Sequence, residues 1–277
     1  MSSDNFRNGV KTRHQVLRLP PVAALVYYFG NTLMEVFMKR AIAFGIVAAA
    51  AAVAGCSEAR SEAGGPTVDR DYQVASFDRI SVAGSYDTTV RTGAAPSVHA
   101  RGDQKAIDNL EVTVEDGVLV IKSKKKMNWG WSSDHGKVVF TVTVPSLRGA
   151  DLAGSGDINI DKVAGNEFNG SIAGSGNLNV ASVDVASLKL DIAGSGNATA
   201  KGGRAKSAQY GIAGSGGIDA KGVAVDTASV SIAGSGDIAA QASNTASVSI
   251  MGSGDVEMTG GAKCTVSKAG SGNARCS

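Results

Sequence analysis

The chain has 277 residues, enough for one large or two small domains, with 36 Gly, 5 Pro, 3 Cys and only 5% aromatic residues. Glycine at that frequency without a Gly-X-Y period excludes collagen, and its recurrence at fixed spacing argues against a disordered linker. The 27 Lys/Arg against 25 Asp/Glu give a net charge of +2, but the first 55 residues hold six of the basic and two of the acidic groups. The remainder therefore counts 21 basic and 23 acidic residues and carries no basic footprint for nucleic acid.

The N-terminal region reads as a leader. From Met38 the text runs "MKRAIAFGIVAAAAAVAGCSEA": a basic pair, Lys39 and Arg40, a short Ala-rich apolar run, then "VAGC" ending at Cys56. Residues 38–55 have the order of a lipoprotein signal peptide, too short and Ala-rich for a comfortable membrane span. Cys56 would then be the lipidated first residue of the mature chain; the alternatives are a single-pass anchor or an ordinary secretory signal. Residues 1–37 read as upstream of the true start at Met38, or as an extra leader containing the apolar stretch "VAALVYYFGNTLMEVF". Residues 56–67, "CSEARSEAGGPT", suit a flexible tether between anchor and domain.

Residues 68–148 are expected to form a β cap and a degenerate first rung. "FDRISVAGSYDTTV" from Phe77 places Ile80 and Val82 on alternating apolar positions and carries "AGSY". Three further alternating runs follow, and "EDG" at Glu115–Gly117 signals a hairpin. The loop "KSKKKMNWGWSSDHGK" holds both tryptophans, Trp129 and Trp131, beside Lys124, Lys125 and Lys126. It is the candidate ligand-binding loop, since aromatics beside basic groups can stack on sugars or dip into an anionic interface. The alternative is a hairpin tip whose tryptophans fold back onto the cap.

Residues 149–277 repeat a "GSG" corner. Its first glycines are Gly154, Gly174, Gly194, Gly214, Gly234, Gly252 and Gly270, at steps of 20, then 18 for the last two. Two residues before each glycine stand Leu152, Ile172, Ile192, Ile212, Ile232, Ile250 and Lys268. Four and six residues after it stand two more columns, apolar from Ile158 and Ile160 through Val256 and Met258 and ending in Ala274 and Cys276. Alternation on both sides of a glycine corner predicts short strands with one buried face, two or three per rung. Stacked rungs make an all-β, parallel β-helix or solenoid with rungs of about 20 residues, in which no repeat is stable alone. The two-residue shortening falls between the post-corner strand and the next pre-corner strand, tightening the last rungs.

Corner serines from Ser155 to Ser271 predict one polar ladder. Asp157, Asn177, Asn197, Asp237, Asp255 and Asn273 predict a second, interrupted at Gly217. Calcium binding is the functional alternative to this structural role, but the nine-residue Gly/Asp pattern it requires is absent. No metal or cofactor is expected.

Catalytic chemistry is sparse. Of His14, His99 and His135 the first lies in the leader, and no Ser/His/Asp arrangement or metal-ligand spacing can be drawn. The outward column Asn159, Asn179, Thr199, Asp219, Ala239, Glu257 and Arg275 reads as mixed and poor in charge, against the clustered carboxylates of a polysaccharide hydrolase. Cys264 and Cys276 lie six residues either side of Gly270, both on inward columns of the last rung. In an oxidising compartment they are a candidate disulfide; two packed thiols are the alternative.

The lipobox leader, the "F-x-x-I-x-V-x-G" pattern at Phe77, Ile80, Val82 and Gly84, the strands "DGVLVI" and "VTVPSL", and the recurrent "GSGD/N" corners resemble the bacterial family "putative auto-transporter adhesin, head GIN domain". The resemblance covers about residues 70–277. It implies a right-handed parallel β-helix at the cell envelope and carries over no catalytic residue. The expected function is a non-catalytic, envelope-anchored binding or adhesion scaffold, held to the outer membrane by its lipid. A glycan or an envelope protein is its candidate partner. A carbohydrate-active enzyme on a β-helix, lyase or hydrolase, is the alternative.

Overall fold

In a computed structural model, residues 66–124 and 137–277 are described. The leader, Cys56 and most of the tether lie outside them, as do Lys125, Lys126, Trp129 and Trp131.

The solenoid is a repeat of long strand, corner and short strand. The long strands are β8 (Gly149–Gly154), β10 (Val163–Gly174), β12 (Val183–Gly194), β14 (Gly203–Gly214), β16 (Val223–Gly234), β18 (Thr245–Gly252) and β20 (Lys263–Gly270). Each is followed by its short partner: β9 (Asp157–Ile160), β11 (Asn177–Val180), β13 (Asn197–Ala200), β15 (Gly217–Ala220), β17 (Asp237–Gln241), β19 (Asp255–Thr259) and β21 (Asn273–Cys276). Long strands pair with long and short with short, all in parallel.

Register follows the repeat. Leu152, Ile172, Ile192, Ile212, Ile232 and Ile250 pair in series, and each is at most 3% exposed. Across the interior stand Ile158, Leu178, Ala198, Ile218, Ile238 and Val256, also buried. One apolar column thus forms per inward position, and the expected parallel solenoid is the fold.

The 12-residue strands explain how three sides fit two sheets. Val183 and Val185 are buried, then Leu188, Leu190 and Ile192, so the inward parity flips after Val185. There Val185 pairs with Ala205 and Ser187 with Ser207 while the residue between drops out of the ladder. The strand turns a corner without ending. Thr227 pairs with Thr245, so the shortened rungs lose their two residues from this third side.

Core volumes compensate across the interior. Gly170 sits on an inward column because a Cβ there would stand 2.5 Å from Leu178 Cδ2. Tyr210 occupies the same column as Gly170, in series with Leu190 and Val230. Tyr210 is fully buried and its hydroxyl has no hydrogen-bond partner among the described residues.

The preceding strands are β1 (Thr67–Tyr72), β2 (Arg79–Gly84), β3 (Asp87–Thr92), β4 (Ser97–Asp103), β5 (Leu110–Glu115), β6 (Val118–Ser123) and β7 (Val138–Val144), with one short helix, α1 (Gln104–Asp108). β2 pairs with β8 in register, Gly84 opposite Gly154, and β3 with β9. The "AGSY" rung therefore stacks directly on the first "AGSG" rung, although some 60 residues separate them in sequence. The intervening chain extends both sheets outward. β7 runs parallel to β3, and β4 and β1 follow antiparallel; β6 runs parallel to β2, and β5 closes a hairpin on it. That hairpin turns on Asp116 and Gly117, φ 51° and 76°, the positive pair of a two-residue turn.

At the other end β20 and β21 are the last strands of the two sheets. Lys268 replaces the isoleucine of its column and is exposed, and Val266 is 44% exposed because no further rung among the described residues covers it. Cys264 and Cys276 are joined by a disulfide, with Cα atoms 6.6 Å apart.

Candidate functional site

Each corner is a close approach of backbones. At Gly194 φ is 137°, and a Cβ would run into the carbonyl oxygen of Gly174. That oxygen already accepts Ser195 N at 2.9 Å and Gly196 N at 3.1 Å. The first glycine of each "GSG" is thus dictated by the corner below it, and the seven glycines from Gly154 to Gly270 are structural positions. The serines between are exposed at every rung.

Beside the corners runs the Asp/Asn ladder. Asn177 Nδ2 donates to Asp157 Oδ1 at 2.8 Å and Asn197 Nδ2 to Asn177 Oδ1 at 3.1 Å. Later the backbone takes over: Asp255 N donates to Asp237 Oδ1 at 3.0 Å and Asn273 N to Asp255 Oδ1 at 2.9 Å. Among the described residues no three His, Cys, Asp or Glu side chains converge as a metal site.

This ladder forms one wall of a groove of about 580 Å³ on the outer face of the short strands, crossing β13, β15, β17, β19 and β21. The other wall is the outward column Thr199, Asp219, Ala239, Glu257 and Arg275. The reading of this face as poor in charge needs correction. It considered one column, whereas the fold lays two side by side, so Asp219, Asp237, Asp255 and Glu257 share the groove with Arg275. Two of those carboxylates are committed to backbone amides of the next rung, and among the described residues no His, Lys or Tyr lines the groove to act with them.

Of the predicted binding loop, Lys124 is described, and it serves the cap: its Nζ donates to Asp108 O at 3.1 Å. Lys125, Lys126, Trp129 and Trp131 fall outside the described residues.

Two features escaped the sequence reading. His99 on β4 stands between two carboxylates of β1, Nδ1 2.8 Å from Asp71 Oδ1 and Nε2 3.1 Å from Asp69 Oδ1. The Asp71 hydrogen bond above all, then that of Asp69, raises its pKa above the usual histidine value. The alternating acids of "DRD" are the signal, legible only once β1 is known to pair with β4. The second is Asp191 on the outer face of β12, its side chain 12% exposed and 3.1 Å from Lys189 Nζ. Burial raises its pKa, with Lys189 opposing, and Gly211 on the next strand leaves the space its carboxylate occupies.

Solved structures share this fold. A "putative adhesin" from Bacteroides fragilis aligns with a TM-score of 0.67 at 23% identity, covering 76% of this chain and 97% of that one. A "putative lipid binding protein" from Parabacteroides distasonis aligns at 0.61 and 26% identity, covering 76% and 98%. A "putative adhesin" from Parabacteroides merdae aligns at 0.60 and 21%, covering 77% and 97%. No curated protein matches the chain. The model of one family matches residues 76–262, from the start of the degenerate rung to the penultimate corner's short strand and just beyond. The chain belongs to that family, described as "Putative auto-transporter adhesin, head GIN domain".

Proposed function

We propose that this chain is a non-catalytic adhesion scaffold at the bacterial cell envelope, tethered by a lipid on Cys56 and presenting its solenoid to a glycan or an envelope protein. The family match over residues 76–262 carries the reading. The architecture supports it: a rigid stack with an open polar groove across five rungs suits an extended partner better than an enclosed substrate. The outer membrane is the proposed site of the anchor, with Ser57 after the lipidated Cys56 compatible with outward sorting.

A carbohydrate-active enzyme is the second reading, favoured by the four carboxylates in the groove. Glycoside hydrolysis needs one carboxyl as a proton donor and one as base or nucleophile across the scissile bond. Asp237 and Asp255 instead hold backbone amides, a structural use of the same groups.

Two measurements test the proposal. Cells bearing the full chain should adhere to glycan-coated or cell-coated surfaces better than cells lacking it, without releasing reducing sugar. The Cys56→Ser variant should leave the membrane fraction or remain an uncleaved precursor. Equal adhesion with and without the chain would end the adhesion reading, and sugar release would favour the enzyme.

A further inference from the structure

The Asp/Asn ladder has one missing member. Six of the seven "GSG" corners are followed by Asp or Asn; the exception is Gly217 on β15. Elsewhere a ladder oxygen is met from the next rung, by a side-chain amide, a backbone amide or both: Asp157 Oδ1 accepts both from Asn177. At the gap neither arrives. Gly217 has no side chain, and its backbone N donates to Gly196 O at 3.2 Å. Asn197 leans over the glycine, its Oδ1 only 3.0 Å from where a Cβ at 217 would stand.

The gap lies in the groove, not on open surface. Asn197 and Asp237 flank it from strands two spacings apart, about 10 Å. Thr199 and Asp219 rise on the neighbouring column, and Ala239 keeps the next rung low. The result is an interruption of the ladder rimmed by Asn197 Oδ1 and by the carboxylate oxygens of Asp219 and Asp237 that do not accept from Lys221 N and Asp255 N. A group that fits must bring hydrogens: hydroxyls standing where the absent amide would have been. The groove continues along the solenoid on either side, so the molecule carrying those hydroxyls can be a chain. With no aromatic residue in the lining among the described residues, hydrogen bonds and repetition supply the affinity.

We propose that the Gly217 gap is a subsite for one sugar ring of an extended glycan, whose hydroxyls complete the interrupted ladder. The proposal rests on the adhesion reading above and names its ligand class.

The test uses the purified full chain in detergent with three probes: β-1,4-linked hexamers of glucose, N-acetylglucosamine and glucosamine. At least one should bind. Gly217→Asn, which continues the ladder with its own carboxamide, should weaken that binding about tenfold or more, one ladder-completing contact being exchanged for a blocked gap. Its melting temperature should be no lower than that of the parent, since φ at 217 is one any residue adopts. Asp219→Asn should weaken binding less, and Ser229→Asn on the other sheet should leave it unchanged. Failure of all three hexamers to bind, or binding unaltered by Gly217→Asn, overturns the subsite. Cell adhesion separates the two ideas. If cells bearing the Gly217→Asn chain adhere like the parent, the subsite is wrong while the adhesion reading stands. If parent cells adhere no better than cells without the chain, the adhesion reading itself falls.

Discussion

The rung of β12 and β13 and the rung of β20 and β21 carry the same corner. Gly194 and Gly270 both have positive φ, 137° and 125°, and in both a Cβ would meet the carbonyl of the corner before it. Their interiors differ. Leu188, Leu190 and Ile192 are at most 2% exposed, whereas Val266 is 44% exposed and Lys268 occupies the isoleucine column. A corner is a local matter between one rung and its predecessor. Burial needs the successor as well, so equivalent sequence yields core in the middle and surface at the end. The last rung answers this with a disulfide and with a lysine, Nζ 3.4 Å from Gly272 O, on a column that otherwise offers apolar surface to an open sheet edge.

The sharpest way to break that comparison is to place a side chain at both corners. Gly194→Val forces a β-branched residue into positive φ and against Gly174 O, with rungs fixed on both sides. It should cost more than about 4 kcal/mol or prevent folding. Gly270→Val meets the same clash, but among the described residues its rung pairs on one side only and can fray, so about 1–2 kcal/mol is expected. Equal losses in denaturant titrations would mean that the end is as constrained as the middle.

Reduction, or Cys264→Ser with Cys276→Ser, should cost about 3 kcal/mol by the loop-entropy model for a 12-residue separation. The loss should be local: hydrogen exchange should quicken in β20 and β21 and stay slow in β10 to β16. Uniform quickening would show that the end rung holds up the whole stack.

Within the middle, Tyr210→Phe removes a buried hydroxyl that has no partner among the described residues while keeping the ring. The variant should be neutral or up to about 1 kcal/mol more stable, read as a raised melting temperature. A fall would reveal a polar contact for that hydroxyl.

The smallest effect belongs to the N-terminal end, where β1 is the edge strand. The folded-state pKa of His99 is raised by Asp71 and Asp69, so its contribution is fully present below the unfolded value, about 6.5. It is lost as pH rises through the folded value. Arg101, 3.9 Å from Asp69, shares the face, and Thr141 of β7 lies opposite. Amides of β1 should therefore exchange faster at pH 8 than at pH 5.5 after correction for intrinsic rates. His99→Gln should remove the difference. The C-terminal rung, which has no histidine, should show none.

Much of this was legible in the residues. Period-two alternation around a glycine corner has one economical solution, and the 20-residue step sets its register, so the columns from Leu152 to Ile250 could be read before any coordinate. The Gly217 interruption was visible too, as was the side that loses two residues. The charge of the groove was not, because it arises from two columns that the sheet sets side by side, Asp237 and Asp255 from one, Asp219 and Glu257 from the other. Nor was the His99 contact, which depends on an antiparallel pairing across 28 residues of sequence.

What the sequence alone determined is whatever repeats: rung length, inward columns, corner glycines and the family pattern, because stacking identical units makes each local choice a global one. Tertiary structure decided what does not repeat. It placed β2 directly on β8 across the 64 residues between them, turned the long strands around a corner without breaking them, and buried Tyr210 in the column that holds Gly170. It also distinguished the open rung from the closed ones. In each case the deciding quantity was a neighbour contributed by a distant part of the chain, and non-local pairing is what a periodic pattern cannot encode.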